Sequence, residues 1–248
     1  PSLNIKQISS IKIPLPPLHI QEEIVKEIEG YQKIIDGAKQ VVENYKPTIK
    51  IDPSWEIKLL EDMVSIKTGK IDSNRAVENG KYPFFSTSDV GKRHLSDNLV
   101  ECSDYLNDEG IKGLTKFKKG TILFPKSGAS IKLEKRAILP FSSYLVNHLC
   151  VIITKSGVTD NKYLLYAISK INLSKDAAGT TLPYLNLEYI TKLQIPLPPL
   201  PEQEKIAEIL STVDKKLELE KRRKEKLERI KKGLMEELLT GKKRVKVG

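Results

Sequence analysis

The sequence predicts an α+β protein in which one globular mixed α/β domain sits between two long helices that pack as an antiparallel coiled coil. Three observations carry this. A 24-residue segment is written twice, PSLNIKQISSIKIPLPPLHIQEEI at Pro1–Ile24 and PYLNLEYITKLQIPLPPLPEQEKI at Pro183–Ile206, with 13 of 24 positions identical. Each copy leads into a stretch whose apolar residues recur at heptad spacing. Between them the texture changes to short β-rich runs broken by turn residues. An offset of 182 residues is too long for a solenoid unit. The repeat therefore reads as a structural connector used on both sides of one module. The expected boundaries are 1–47 for the first connector and helix, 48–183 for the domain, and 184–248 for the second connector, second helix and basic tail.

Each IPLPPL hexapeptide should be an extended entry into a helix, because proline fixes φ and pushes the preceding residue out of the α region. Pro201 suits a first helical turn, and Glu202 and Glu204 suit its positive end. The first helix is expected over His19–Tyr45. Its seam is Ile24, Ile28, Tyr31, Ile35, Ala38, Val42 and Tyr45, and Lys46-Pro47 ends it. The middle should hold strands over Tyr82–Ser86, Thr121–Phe124 and Tyr144–Thr154. One helix is expected over Asn161–Ser169, with Tyr163, Leu164, Ala167 and Ile168 facing the core. The second long helix should span Pro201–Leu239, with a seam of Ile206, Leu210, Val213, Leu217, Leu227, Leu234 and Leu238. Glu220, Lys224 and Lys231 interrupt it at core-type positions, which can fix register. Gly241 is a plausible stop, followed by basic residues. A helix of about 27 residues spans roughly 40 Å, close to the ~34–36 Å that separates paired half-sites on B-DNA.

The net charge is +10, which favours a polyanionic partner. It is unevenly placed. Lys112–Arg136 holds eight Lys/Arg and one acid, Glu134, whereas acids outnumber bases over Asp52–Glu109. A second run, Lys221–Lys232, also holds eight Lys/Arg but reads as a solvated helix face. With no apolar stretch of about 18 residues, a membrane partner is not expected. Two cysteines make no disulfide framework, which suits a reducing cytoplasm. The chain begins inside a repeat copy rather than at Met, so it reads as starting partway through a longer protein.

Several segments carry a family resemblance. IPLPPL-x-EQ-x-x-I before a long helix, SWEIKLLEDMVSIKTGK (Ser54–Lys70), ILFPKSGASIKLEKRAIL (Ile122–Leu139), GTTLPYLN (Gly179–Asn186) and IKKGLMEELLTGKKRV (Ile230–Val245) occur in this order. Together they resemble the specificity (S) subunits of type I restriction–modification systems. The resemblance implies target-recognition domains that each read one half of a split site in double-stranded DNA, carried on conserved helices. This chain has both helices and one such domain, so it looks like the distal half of an S subunit. The implied partners are methyltransferase (M) and restriction (R) subunits. S-adenosylmethionine, ATP and Mg are expected there, with no cofactor in this chain.

Recognition domains of the family contact DNA with loops. The positions carried over are Lys126, Ser127, Gly128, Ser130 and Lys132, with Gly128 and Ala129 allowing close backbone approach. Lys116, Lys118, Lys119, Lys135 and Arg136 extend the patch, and Ser86, Thr87, Ser88, Lys92 and Arg93 form a second candidate loop. Lysines near phosphates supply affinity, and polar side chains on base edges supply sequence. Sparse aromatic residues argue against single-strand stacking. The prolines Pro14, Pro16, Pro17, Pro196, Pro198 and Pro199, with Ile206, Leu210, Leu217 and Leu227, are the expected subunit interface.

His94, Cys102, His148 and Cys150 lack zinc-site spacing. No phosphate-binding or dinucleotide glycine loop occurs, and no carboxylate sits at telling distance from a base or nucleophile. The chain reads as non-catalytic. Two other readings remain open: a coiled-coil protein-interaction module without DNA specificity, and a half subunit that homodimerises to read a palindromic split site.

Overall fold

The computed structural model describes residues 15–44, 51–72, 75–92, 102, 104–177, 184–240 and 242. Expectations for Pro14, Tyr45, Lys46-Pro47, Arg93, His94, Gly241, most of Gly179–Asn186 and the basic tail fall outside them. The chain divides into two units, 47–214 and 1–46 with 215–248.

The second unit contains helix α1 (Leu18–Asn44) and the distal part of helix α6 (Leu200–Leu239). The predicted seam of α1 is the buried stripe: Ile24, Ile35 and Ala38 are buried, with Ile28, Tyr31 and Val42 half-buried. Ile24 clusters with Leu234 and Leu238, and Lys231 donates to the Gln32 side chain. Positions rise on one helix as they fall on the other, so the pair is antiparallel. The inward stripe of α6 is Leu217, Glu220, Lys224, Leu227, Lys231, Leu234 and Leu238, and the three polar interruptions are half-buried. Their stems cover apolar surface while their heads find partners. Lys224 pairs with Glu228, and Glu220 with Arg223.

In the unit 47–214, strand β1 (Glu56–Leu59) leads through one helical turn, α2 (Leu60–Met63), into β2 (Val64–Thr68). The central sheet has the order β2-β8-β5-β6 and is antiparallel, with β5 at Ile122–Pro125, β6 at Ala137–Ile138 and β8 at Leu149–Thr154. A second sheet, β4-β3-β7, uses Tyr82–Phe85 as β3, Asp104–Leu106 as β4 and Tyr144–Leu145 as β7. Helix α3 (Thr87–Lys92) follows β3, and helix α4 (Asn161–Ser169) follows β8. Asp160 caps α4 by accepting from the Lys162 and Tyr163 amides. Leu165 and Tyr166 are buried along with the four predicted core residues of α4. One core packs α4 on the face of the central sheet, and another fills the space around β3 and β7.

The single strand expected over Tyr144–Thr154 is two strands. A turn closed by the Leu149 amide on the Val146 carbonyl (3.1 Å) separates β7 from β8. The break carries neither Gly nor Pro, and its only marks in the sequence are the polar residues Asn147 and His148. The second connector is also more than an extended entry. Its Gln194–Leu197 is strand β9, paired antiparallel with β1 in a two-stranded sheet, after the short helix α5 (Leu187–Thr191). An edge position tolerates Pro196, which lacks an amide to donate. Its carbonyl accepts from the Tyr163 hydroxyl at 2.5 Å, and burial pushes that phenol up to about 12. The connector thus belongs to the domain, and the expected boundary at 183 lies inside this unit.

Candidate nucleic-acid interface

Strand β5 carries its candidate residues on its two ends. Its four residues are buried and span roughly 13 Å. Lys116, Lys118 and Lys119 are exposed before its start, beside Ser142, whose hydroxyl accepts from the Lys119 amide at 3.4 Å. Lys126, Ser127 and Lys132 follow its end. One continuous basic run in the sequence is therefore two groups at opposite ends of a strand. This corrects the expectation that Lys116, Lys118 and Lys119 extend the Lys126 patch.

The end with Lys126 is stitched from several segments. The Lys126 amide donates to the His148 carbonyl at 2.9 Å, and the Lys126 carbonyl accepts from Leu185 at 2.8 Å. The Ser127 hydroxyl and His148 Nδ1 share a hydrogen bond of 2.6 Å, and Ser127 bridges to Tyr184. Gly128 has φ +79, a region only glycine enters without strain, and it opens the 3₁₀ turn Ala129–Leu133. Lys132 is exposed on that turn, and Ser130 and Lys135 are half-buried. Helix α3 packs beside this turn and β5, so the two candidate segments, distant in sequence, meet. From the β7–β8 turn, Asn147 donates its side-chain amide to Asp72 at 2.8 Å. Gly69 lies close against this turn, since a Cβ there would lie 2.1 Å from the Val146 carbonyl oxygen.

Two expected contacts are used internally. Arg136 is 2% exposed. Its guanidinium donates to the Glu134 carboxylate (2.6 Å), the Glu134 carbonyl (2.7 Å) and the Ile171 carbonyl (2.7 Å). It holds the turn to the segment after α4 and is not a surface cation. Burial alone would raise the Glu134 carboxyl, but the Ser174 amide and Arg136 outweigh it and hold it below its ordinary value. Ser86 is likewise buried, and its amide and hydroxyl both donate to Asp89 at 2.8 Å, capping α3. Thr87 and Ser88 remain accessible on that helix start, and Lys92 lies at its end. Sequence reasoning passed over Asn147, His148 and Tyr184 as contact candidates. Their signal, a polar pair in an otherwise apolar run, marked the unrecognised turn.

Among the expected interface residues, Pro198 is buried and Pro196 half-buried in the domain, while Ile206 packs on the domain core and Leu210 is buried. Ile206 is half-buried there. Pro17 and Pro199 are exposed, Pro16 is half-buried, and Leu217 and Leu227 are half-buried in the α6 stripe. No cluster of His, Cys, Asp or Glu among the described residues could hold a metal ion. Burial pushes the Cys150 thiol up to about 12, which leaves it inert at neutral pH. No helix among the described residues is long and apolar enough to cross a membrane.

Comparison with known proteins places this arrangement. The chain is 30% identical over 280 aligned positions to the type I restriction enzyme MjaVIII specificity subunit of Methanocaldococcus jannaschii, covering 99% of this chain and 65% of that protein. It is 26% identical to the MjaIX specificity subunit of the same organism, covering 99% and 63%. It thus spans about two thirds of the length of these curated relatives. The crystal structure of an HsdS subunit from Thermoanaerobacter tengcongensis superposes with a TM-score of 0.55 at 17% identity, covering 97% of this chain and 63% of that one, which shows a common fold. The family model for the type I restriction modification DNA specificity domain matches residues 1–44 and 53–229, and the chain belongs to that family.

Proposed function

We propose that this chain is the target-recognition part of a type I restriction–modification complex and is itself non-catalytic. The domain 47–214 binds duplex DNA with the end of its sheet that carries Lys126, Ser127, Ser130, Lys132, Thr87 and Ser88. The observation that carries this is the convergence of the two candidate segments, α3 and the turn after β5, at one polar end of the domain. Lys126 and Lys132 supply phosphate contacts, and the serines, Thr87, Asn147 and His148 supply donors and acceptors for base edges. Methyltransferase and restriction subunits dock on the helices and connectors. They hold the S-adenosylmethionine, ATP and Mg that the reactions consume or require.

A salt titration of duplex binding tests this reading. Counterion release predicts that log K falls linearly with log salt, by about 0.9 per phosphate contact. A chain with no duplex affinity at low salt contradicts it and leaves a protein-interaction module. A chain with one such domain reads both halves of a split site when two copies pair, and twofold pairing is the commonest oligomer symmetry. Sedimentation equilibrium should then show a dimer at micromolar concentration, and a strict monomer contradicts that part.

A further inference from the structure

The duplicated connector separates, by internal comparison, what the segment does alone from what the domain adds. In the first copy Gln21 Nε2 donates to the Pro16 carbonyl at 2.8 Å, and in the second Gln203 Nε2 donates to the Pro198 carbonyl at 2.8 Å. The backbone repeats as well. The Ile20 and Gln21 amides donate to Pro17 at 2.9 and 3.1 Å, and the Glu202 and Gln203 amides donate to Pro199 at 2.9 and 3.1 Å. This staple across the helix start is a property of the local sequence.

The other end of the amide differs between the copies. Gln203 Oε1 accepts from the Thr159 hydroxyl at 3.0 Å and from the Asp160 amide at 2.9 Å, while Nε2 also reaches the Val158 carbonyl at 3.3 Å. Gln203 is 1% exposed, with Ala207 and Leu210 buried in the next two turns of α6. Gln21 is half-buried, and among the described residues no domain group takes its Oε1. Asp160 is also the cap of α4. One primary amide therefore joins three things: the connector, the first turn of α6 and the cap of a core helix. Two donors and two acceptor directions are all used, so neither an apolar side chain nor a point charge reproduces the join. A side chain that serves only to cap the helix would need the proline bond alone, as Gln21 has.

We propose that Gln203 is a positioning residue for target recognition. It locks the first turns of α6, within the unit 47–214, to the loop after β8 and the cap of α4, so that a subunit gripping those turns meets the bound DNA in register. This rests on the recognition reading given above. Gln203 lies by the loop after β8, at the opposite end of the central sheet from Lys126, and touches no proposed DNA contact. Its removal should separate binding from methyl transfer, because a displacement of about 1 Å in a reacting assembly can cost about 10²-fold in rate.

The test uses the whole chain with its methyltransferase subunits. Three quantities are measured for the parent, Gln203→Met and Thr159→Val: thermal midpoint, duplex affinity of the chain alone, and methyl transfer from S-adenosylmethionine to plasmid DNA by the assembled complex. Gln203→Met should keep the parental duplex affinity yet lower methyl transfer by on the order of tenfold or more. Thr159→Val removes one bond from the domain side and should shift methyl transfer the same way by less. Parental methyl transfer by Gln203→Met overturns the proposal. So does a loss of midpoint, affinity and transfer together in both Gln203→Met and Thr159→Val, which would mark the amide as structural only. Absence of duplex binding by the parent instead removes the recognition reading itself.

Discussion

Lys126 is held by its backbone, gripped on one side by His148 and on the other by Leu185, so its side chain is presented from a fixed point. Replacing Lys126 or Lys132 by Ala should weaken duplex binding across sequences and lower the salt slope by about one unit for each lost phosphate contact. Unchanged binding in both moves the interface elsewhere. Arg136 has another fate. Arg136→Ala leaves Glu134 without its cation and should lower stability by about 3 kcal/mol in chemical denaturation, while the folded variant keeps its salt slope. A parental midpoint with a lower slope would return Arg136 to the DNA surface. Glu134 also sets a pH dependence. Its carboxyl is held below the ordinary value, so its contribution is full above that value and is lost as pH falls through the lowered one. Glu134→Gln should flatten the acid limb of stability, and an acid limb identical to the parent's contradicts this. The sequence showed the charge of Arg136 and Ser86 as polar, but not their partners. Ile171 is distant in sequence from Arg136, and only folding brings its carbonyl near.

The long helices and α4 were legible because their signals are local. Heptad spacing defined the buried stripe of α1, and the helical spacing of Tyr163, Leu164, Ala167 and Ile168 marked α4. The paired sheets were not, since pairing is long-range. β9 joins β1 across most of the chain, and nothing in GLN-ILE-PRO-LEU names GLU-ILE-LYS-LEU as its partner. On α6 the heptad reading ran from Ile206 onward, yet the first turns also bury Gln203 and Ala207 against the domain. Its grading matters for the seam. Leu238 is 5% exposed and clusters with Ile24, whereas Leu217 is half-exposed. Leu238→Asp should therefore cost more than about 3 kcal/mol and lower the helical melting midpoint clearly, with Leu217→Asp milder. Equal effects would show that the stripe is buried evenly.

At the scale of the molecule, the unit 47–214 carries the proposed DNA contacts, and the other unit pairs α1 with the distal part of α6. The repeat and the heptads made the fold class, an α+β domain with two long packed helices, legible in the sequence. The placement of the basic residues was not legible, because a run in the sequence does not show the two ends of a strand. Folding splits Lys112–Arg136 across β5 and brings α3 beside the same strand and the turn that follows it. The most direct test compares salt slopes of duplex binding for the parent, Lys126→Ala/Lys132→Ala, and Lys116→Ala/Lys118→Ala/Lys119→Ala. The account predicts a slope reduced by about two units in the double variant and a nearly parental slope in the triple. A parental slope in the double variant, with the loss in the triple, would place the DNA at the opposite end of the domain and contradict it.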